Sequence, residues 1–130
     1  MNAFARAFLV VNGLLLAGYG IWCFSNPLVL QEYAGLVQNT ASAMVEVRAM
    51  YGGLQLMVGL LLLSCGLHVA YARMGLAVSA VCFLGLAPAR LAGVLQWGLD
   101  DYNLGALIYE TVCVVLSLLF LARWKAAAHP

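Results

Sequence analysis

Four long runs of apolar residues divide the chain, each closed by a cluster of polar residues, glycine or proline. The first extends from about Phe4 to Phe24 and stops at Ser25-Asn26-Pro27, where proline cannot donate the next helical hydrogen bond. The second extends from about Ala43 to Cys65, with Gly66, His68 and Arg73 marking the turn after it. The third, Met74 to Trp97, contains Pro88, which membrane helices accommodate, and a kink is expected over 84–88. The fourth begins near Asn103, after Asp100-Asp101, and ends at Arg123-Trp124-Lys125. Each run is close to the ~20 residues that cross a bilayer as an α-helix. The pattern therefore predicts an all-α, polytopic four-transmembrane-helix bundle, with helices at about 4–24, 43–65, 74–97 and 103–124. It occupies residues 1–130 as a single integral membrane domain. Gly13, Gly18 and Gly20 interrupt the first run and no clear small-residue cleavage site precedes Asn26-Pro27, so that run reads as a span and not as a removable leader. Leu28 to Ser42 is more polar and reads as an external loop with a short interfacial helix around Leu28 to Leu36. Asn39, Thr40 and Ser42 offer N-cap oxygens to the second long helix.

Composition strengthens this reading. Hydrophobic residues make up 65% of the chain and charged residues 8%, against roughly 25% charged in soluble domains. The mean hydropathy is +0.99, which makes membrane lipid the expected surroundings. A net charge of +1 gives no reason to expect a nucleic-acid partner. The placement of the charges is more telling. Arg6, Arg73, Arg123 and Lys125 fall on one side of the four spans, and Glu32, Asp100 and Asp101 on the other. The positive-inside rule then puts both termini in the cytoplasm, with Trp97, Tyr102 and Trp124 at the interfaces.

Glu46, Arg48, Arg90 and Glu110 are left within the apolar runs. Arg90 stands seven positions before Trp97 and Glu110 seven after Asn103, each about 10 Å from the same end of the bundle at the helical rise. Glu46 and Arg48 lie within about two turns of that end. Isolated charges in hydrocarbon cost several kcal/mol, so the four are expected to face one another and pair. The pairs expected from phase are Arg48 with Glu110 and Glu46 with Arg90, with the swapped pairs left open. Residues three, four and seven apart share a helix face; on the second helix that face gathers Arg48, Tyr51, Gly52, Gln55, Gly59 and Gly66, where glycine permits close approach of a neighbour. The fourth helix offers Ala106, Glu110, Cys113 and Ser117, and the first Asn12, Tyr19 and Cys23.

The run Glu46-Val47-Arg48-Ala49-Met50-Tyr51-Gly52-Gly53, preceded by Asn26-Pro27 and followed by Arg90-Leu91-Ala92-Gly93 and Glu110, resembles a widespread bacterial family of small four-helix membrane proteins. That family is catalogued as a domain of unknown function, with E-x-R-A-x-Y-G-G in the second helix. The resemblance spans nearly the whole chain and implies the same fold and a multi-pass protein of the bacterial inner membrane, but no reaction. By layout alone the chain is also similar to four-helix sterol-pathway proteins of the endoplasmic reticulum.

The leading expectation is a ligand-binding or ion-pair network of Glu46, Arg48, Tyr51, Gln55, Arg90, Glu110 and Tyr19, holding a lipid-like or small amphipathic molecule. Two alternatives remain. One is an accessory subunit of a homo-oligomer or larger membrane complex, its charges only pairing helices; the other is a proton-coupled carrier using Glu46 or Glu110. Nothing identifies a substrate, so an enzyme is the less favoured reading, and no cofactor is called for. Cys23, Cys65, Cys82 and Cys113 lie on four different helices without C-x-x-C spacing, which fits apolar filler and not a metal site. His68 and His129 likewise lack ligands at metal spacing.

Overall fold

The computed structural model describes residues 3–127, with side chains as far as Trp124. The Lys125 side chain and His129 lie outside the described part. Helix α1 spans Ala3–Ser25. It ends where the sequence predicts, with the Asn26 N–H donating to the Trp22 carbonyl at 2.9 Å before Pro27. Helix α2, Val29–Ala34, is the short helix of the connection, closed by Gly35 at φ +65°, a left-handed turn that favours glycine. Helix α3 spans Ala41–Leu67. Of the three offered N-cap oxygens Thr40 supplies the cap, its Oγ1 accepting from the Ala43 N–H at 3.1 Å. A turn of 3-10 helix, Val69–Tyr71, leads into α4, Ala72–Trp97, which continues through Pro88. After Gly98 at φ +103°, helix α5 spans Asp101–Ala127.

Four helices are long and apolar enough to cross a membrane, and among the described residues there is no strand. The surface suits that reading: Val81 is 71% exposed and Leu95 80%, an arrangement that bilayer hydrocarbon tolerates and water does not.

Helix α1 lies along α3, and α4 lies along α5. The α1/α3 seam is built on glycine. A Cβ added at Gly13 would stand 2.5 Å from the Leu63 nitrogen, and one at Gly52 would stand 2.9 Å from the Phe24 Cα. At Gly59 it would run into the backbone of Ala17. Gly52, Gly59 and Gly66 of α3 recur every seven residues, which keeps them on one face. Arg6 locks the end of this seam, its Nε donating to the Gly66 carbonyl and its Nη2 to the Leu67 carbonyl, both at 2.9 Å. These are carbonyls that the helix end leaves unpaired.

Helices α3 and α4 meet near the end of the bundle that holds the chain termini, where a Cβ at Gly75 would stand 2.5 Å from the Cys65 Cβ. Leu9, Leu62, Leu76 and Cys65 form the buried core there. Towards the opposite end, the site end, the same two helices stand apart.

The α winding breaks at one place in α3, and the break decides which of its side chains face the interior. Seven residues, Arg48–Leu54, are wound as π-helix. A π turn bonds i to i+5, so side chains before it fall out of α phase with those after it. Arg48, placed by α phase on the face of Gly52 and Gln55, is instead turned to the surface.

Candidate functional site

The turn at Gly98 sends α5 back along α4. Asp100 caps the new helix, its Oδ1 accepting from the Asn103 N–H at 2.7 Å and its Oδ2 from Asn103 Nδ2 at 3.0 Å. Those bonds, the backbone one foremost, hold the Asp100 carboxyl below the usual carboxylate range. They also fix the Asn103 amide with its Oδ1 towards Arg90, and it accepts from Arg90 Nη1 at 2.8 Å.

Arg90 and Glu110 form the centre of the site. Arg90 Nη2 donates to Glu110 Oε1 at 2.7 Å, and Nε reaches Oε1 at 3.0 Å and Oε2 at 2.9 Å. The Glu110 side chain is 5% exposed and that of Arg90 23%. Such a fork-to-fork pair is strong and directional, and the charges cancel. This is one of the swapped pairs that phase left open, and it replaces the pairing expected first. Arg48 does not reach Glu110, and Glu46 does not reach Arg90. Two physical reasons account for it: the short α4/α5 turn brings Arg90 and Glu110 to one level, and the π segment swings Arg48 away.

A guanidinium carries five N–H donors. Nε, one N–H of Nη1 and one of Nη2 are engaged, which leaves two uncommitted among the described residues. Arg90 lines a cavity of about 430 Å³. Arg90 and Glu110 line it with Tyr19 from α1, Tyr51 and Gln55 from α3, and Tyr102 and Tyr109 from α5. Leu15, Leu16, Phe83 and Leu86 supply apolar wall. The Tyr102 ring sits 5.9 Å from the guanidinium carbon, within cation–π reach.

The floor is polar and closed. Tyr109 stands edge-on to Phe83 at 5.4 Å and donates its hydroxyl to Asn12 Oδ1 at 2.7 Å. Asn12, 4% exposed, also accepts from Cys113 Sγ at 3.1 Å and donates to the Phe8 carbonyl at 3.1 Å. A turn further along, Ser117 donates to Ser79 at 2.9 Å, both fully buried. These groups satisfy one another. Tyr51 and Gln55, in contrast, have no hydrogen-bond partner for their polar ends among the described residues.

Of the seven site residues expected from the sequence, five line this one cavity: Tyr19, Tyr51, Gln55, Arg90 and Glu110. Glu46 lines a neighbouring cavity, and Arg48 lines neither. Asn103 as the ligand of Arg90, and Tyr102 and Tyr109 as wall, escape the sequence reading. The signal was present in part: one helical turn before Ala106, the Glu110 stripe of α5 reaches Tyr102 and Asn103.

The chain belongs to the family described as Domain of unknown function (DUF4345), whose model matches residues 4–121. No curated protein and no solved structure matches it.

Proposed function

We propose that this family member is a multi-pass membrane protein that holds a small amphipathic, lipid-like molecule in the Arg90 cavity. The observation that supports this is the cavity itself: about 430 Å³, inside the roughly 300–1,000 Å³ of small-molecule sites. It has largely apolar walls, an ion pair whose charges cancel, and a guanidinium with two N–H groups to spare. A neutral pair in an apolar wall offers little to a bare ion. It suits a molecule whose apolar body fills the cavity and whose uncharged polar end accepts from Arg90 or a tyrosine.

In this reading the termini end faces the cytoplasm of a bacterial cell across its inner membrane, because Arg6, Arg73 and Arg123 gather there while Glu32, Asp100 and Asp101 lie at the site end. The cavity then opens in the outer half of the bilayer.

An accessory subunit is the competing reading, and one observation favours it: both Glu110 oxygens are already taken by Arg90, so the pair can serve as a helix fastener. The two readings separate in a variant that removes both charges, Arg90→Met with Glu110→Leu. Replacing a buried pair by apolar groups of similar size is often neutral or stabilising, by about 1–4 kcal/mol, so the variant should fold. Native mass spectrometry of gently extracted protein should show a small-molecule adduct on the wild type and none on the double variant. An adduct that survives in the double variant contradicts the proposal. A variant that loses association with other chains instead, in a wild type free of adduct, supports the accessory subunit.

A further inference from the structure

The Arg90 cavity continues past its own walls. A smaller cavity of about 180 Å³ adjoins it, and Leu16, Gln55, Phe83 and Leu86 line both. Leu54 and Val58 of α3 and Cys82 of α4 complete the smaller one, which is therefore a slot in the gap between these two helices. Its lining runs from Leu16 and Phe83, both buried, to Leu54 and Leu86, which are 49% and 39% exposed. Leu54 and Leu86 stand well inside their spans, Ala41–Leu67 and Val69–Trp97. The slot thus joins the cavity to the flank of the bundle that faces lipid.

Polarity falls along this path as depth increases. Cys82 precedes Arg90 by eight residues on α4, about 12 Å at the helical rise, and lies on the side of Arg90 nearer the middle of the span. Gln55 is the one amide in the slot, shared with the larger cavity, and the rest of the lining is hydrocarbon and a thiol. A lipid in a bilayer is built in the same order, with its head near the surface and its chain towards the centre.

The groups free at the head end limit what the head can be. Arg90 has two uncommitted N–H groups, whereas both Glu110 oxygens are taken. Tyr51 and Gln55 line the cavity without a hydrogen-bond partner. The sealed, unpartnered side-chain atoms among the described residues all belong to Gln38, so the polar ends of Tyr51 and Gln55 keep accessible surface. The site therefore favours a head that accepts. An anionic head would compete with Glu110 for Arg90, and a cationic one would meet Arg90 with no free carboxylate beside it. Either leaves an uncompensated charge in an apolar setting, which is costly.

We propose that the α3/α4 slot is the lateral exit for the chain of a lipid whose neutral head, bearing a carbonyl or ether oxygen, sits in the Arg90 cavity. This rests on the Arg90 cavity being a ligand site and names the class of molecule it takes. The head accepts from Arg90, Tyr51 or Gln55, and the chain passes between Phe83 and Val58 to leave beside Leu54 and Leu86.

The test is photolabelling of the full chain in vesicles of ether-linked phosphatidylcholine, which carry no ester carbonyl. The probe is methyl hexadecanoate with a diazirine in mid-chain, and only label removed by excess unmodified ester is counted. In wild type that label should map to residues 54–58 and 82–86. Hexadecyltrimethylammonium and hexadecyl sulfate, with permanently charged heads, should not displace it. Cys82→Phe, which fills the slot, should cut the label about tenfold, while Val81→Phe should leave it unchanged, since Val81 is 71% exposed and lines neither cavity. The wild-type map needs no variant to fold. If the label is lost in the Arg90→Met/Glu110→Leu variant but maps to Leu15 and Ala106 or to Val47 and Met50, the slot is overturned while the Arg90 cavity stands. Displacement by either charged competitor as readily as by the ester overturns the neutral head. If wild type takes up no more displaceable label than that double variant, the slot and the cavity reading are both overturned.

Discussion

Helix α3 has two seams, and they are built in opposite ways. Against α1 it is closed along its length: Gly52, Gly59 and Gly66 meet the Phe24, Ala17 and Val10 region with no room for even a methyl group. Against α4 it is closed only near the termini, at Gly75 and Cys65, and opens towards the site end into cavities lined by Tyr51, Gln55 and Leu86. Between helices in lipid the driving force is close packing, since the tails are as apolar as the side chains. A seam that forgoes such packing must be held open by something else. Here the opening is lined by residues of the π segment and by tyrosines, beside an Asp100–Asn103–Arg90–Glu110 chain of hydrogen bonds that ties α4 to α5. The closed seam explains how the bundle stands, and the open one leaves the space in which we propose that a ligand sits.

The contrast can be broken from either side. The largest effect is expected in the closed seam. Gly59→Leu drives a side chain into the Ala17 backbone and should cost about 3 kcal/mol or more, read as loss of monodisperse protein in detergent. Next is Arg90→Met alone. It strands Glu110, 5% exposed, and should cost about 3 kcal/mol, the low end for a broken buried pair because Arg90 is partly exposed. Its melting temperature should recover when Glu110→Leu is added. A single variant that melts like wild type would show that the open seam does not depend on the pair.

Asn12→Leu removes the acceptor of Tyr109 and Cys113 at the cavity floor and should cost about 1–2 kcal/mol in thermal melts. The smallest effect belongs to Asp100. Its carboxyl titrates lower folded than the ordinary 3.8, so its capping contribution is complete above that pH and is lost as pH falls through the folded value. Wild type should lose slightly more melting temperature than Asp100→Asn on acidification through that window.

How much of this the sequence carries depends on which physical rule governs each part. Helix ends are legible because they are local: Asn26-Pro27 stops α1, Thr40 caps α3, and Asp100 caps α5. The glycine seam is legible because a seven-residue spacing keeps a face in both straight and supercoiled helices. The pairing of the four charges is not. Reading it needs the phase of α3 through Arg48–Leu54, and the π winding breaks that phase in a way that no residue pattern announces. The level shared by Arg90 and Glu110 can be read by counting from Trp97 and Asn103, and it points to the pair that forms. Gln38 stands out in no pattern, because it lies in a connection and its burial depends on how that connection folds over α3.

The central claim is that the open seam holds a molecule, and an experimental map of the protein extracted in native lipid tests it most directly. The account predicts elongated non-protein density in the Arg90 cavity, its polar end within hydrogen-bonding distance of the spare Arg90 N–H groups. A map in which Tyr19, Tyr51 and Leu86 close together and fill that space would contradict it.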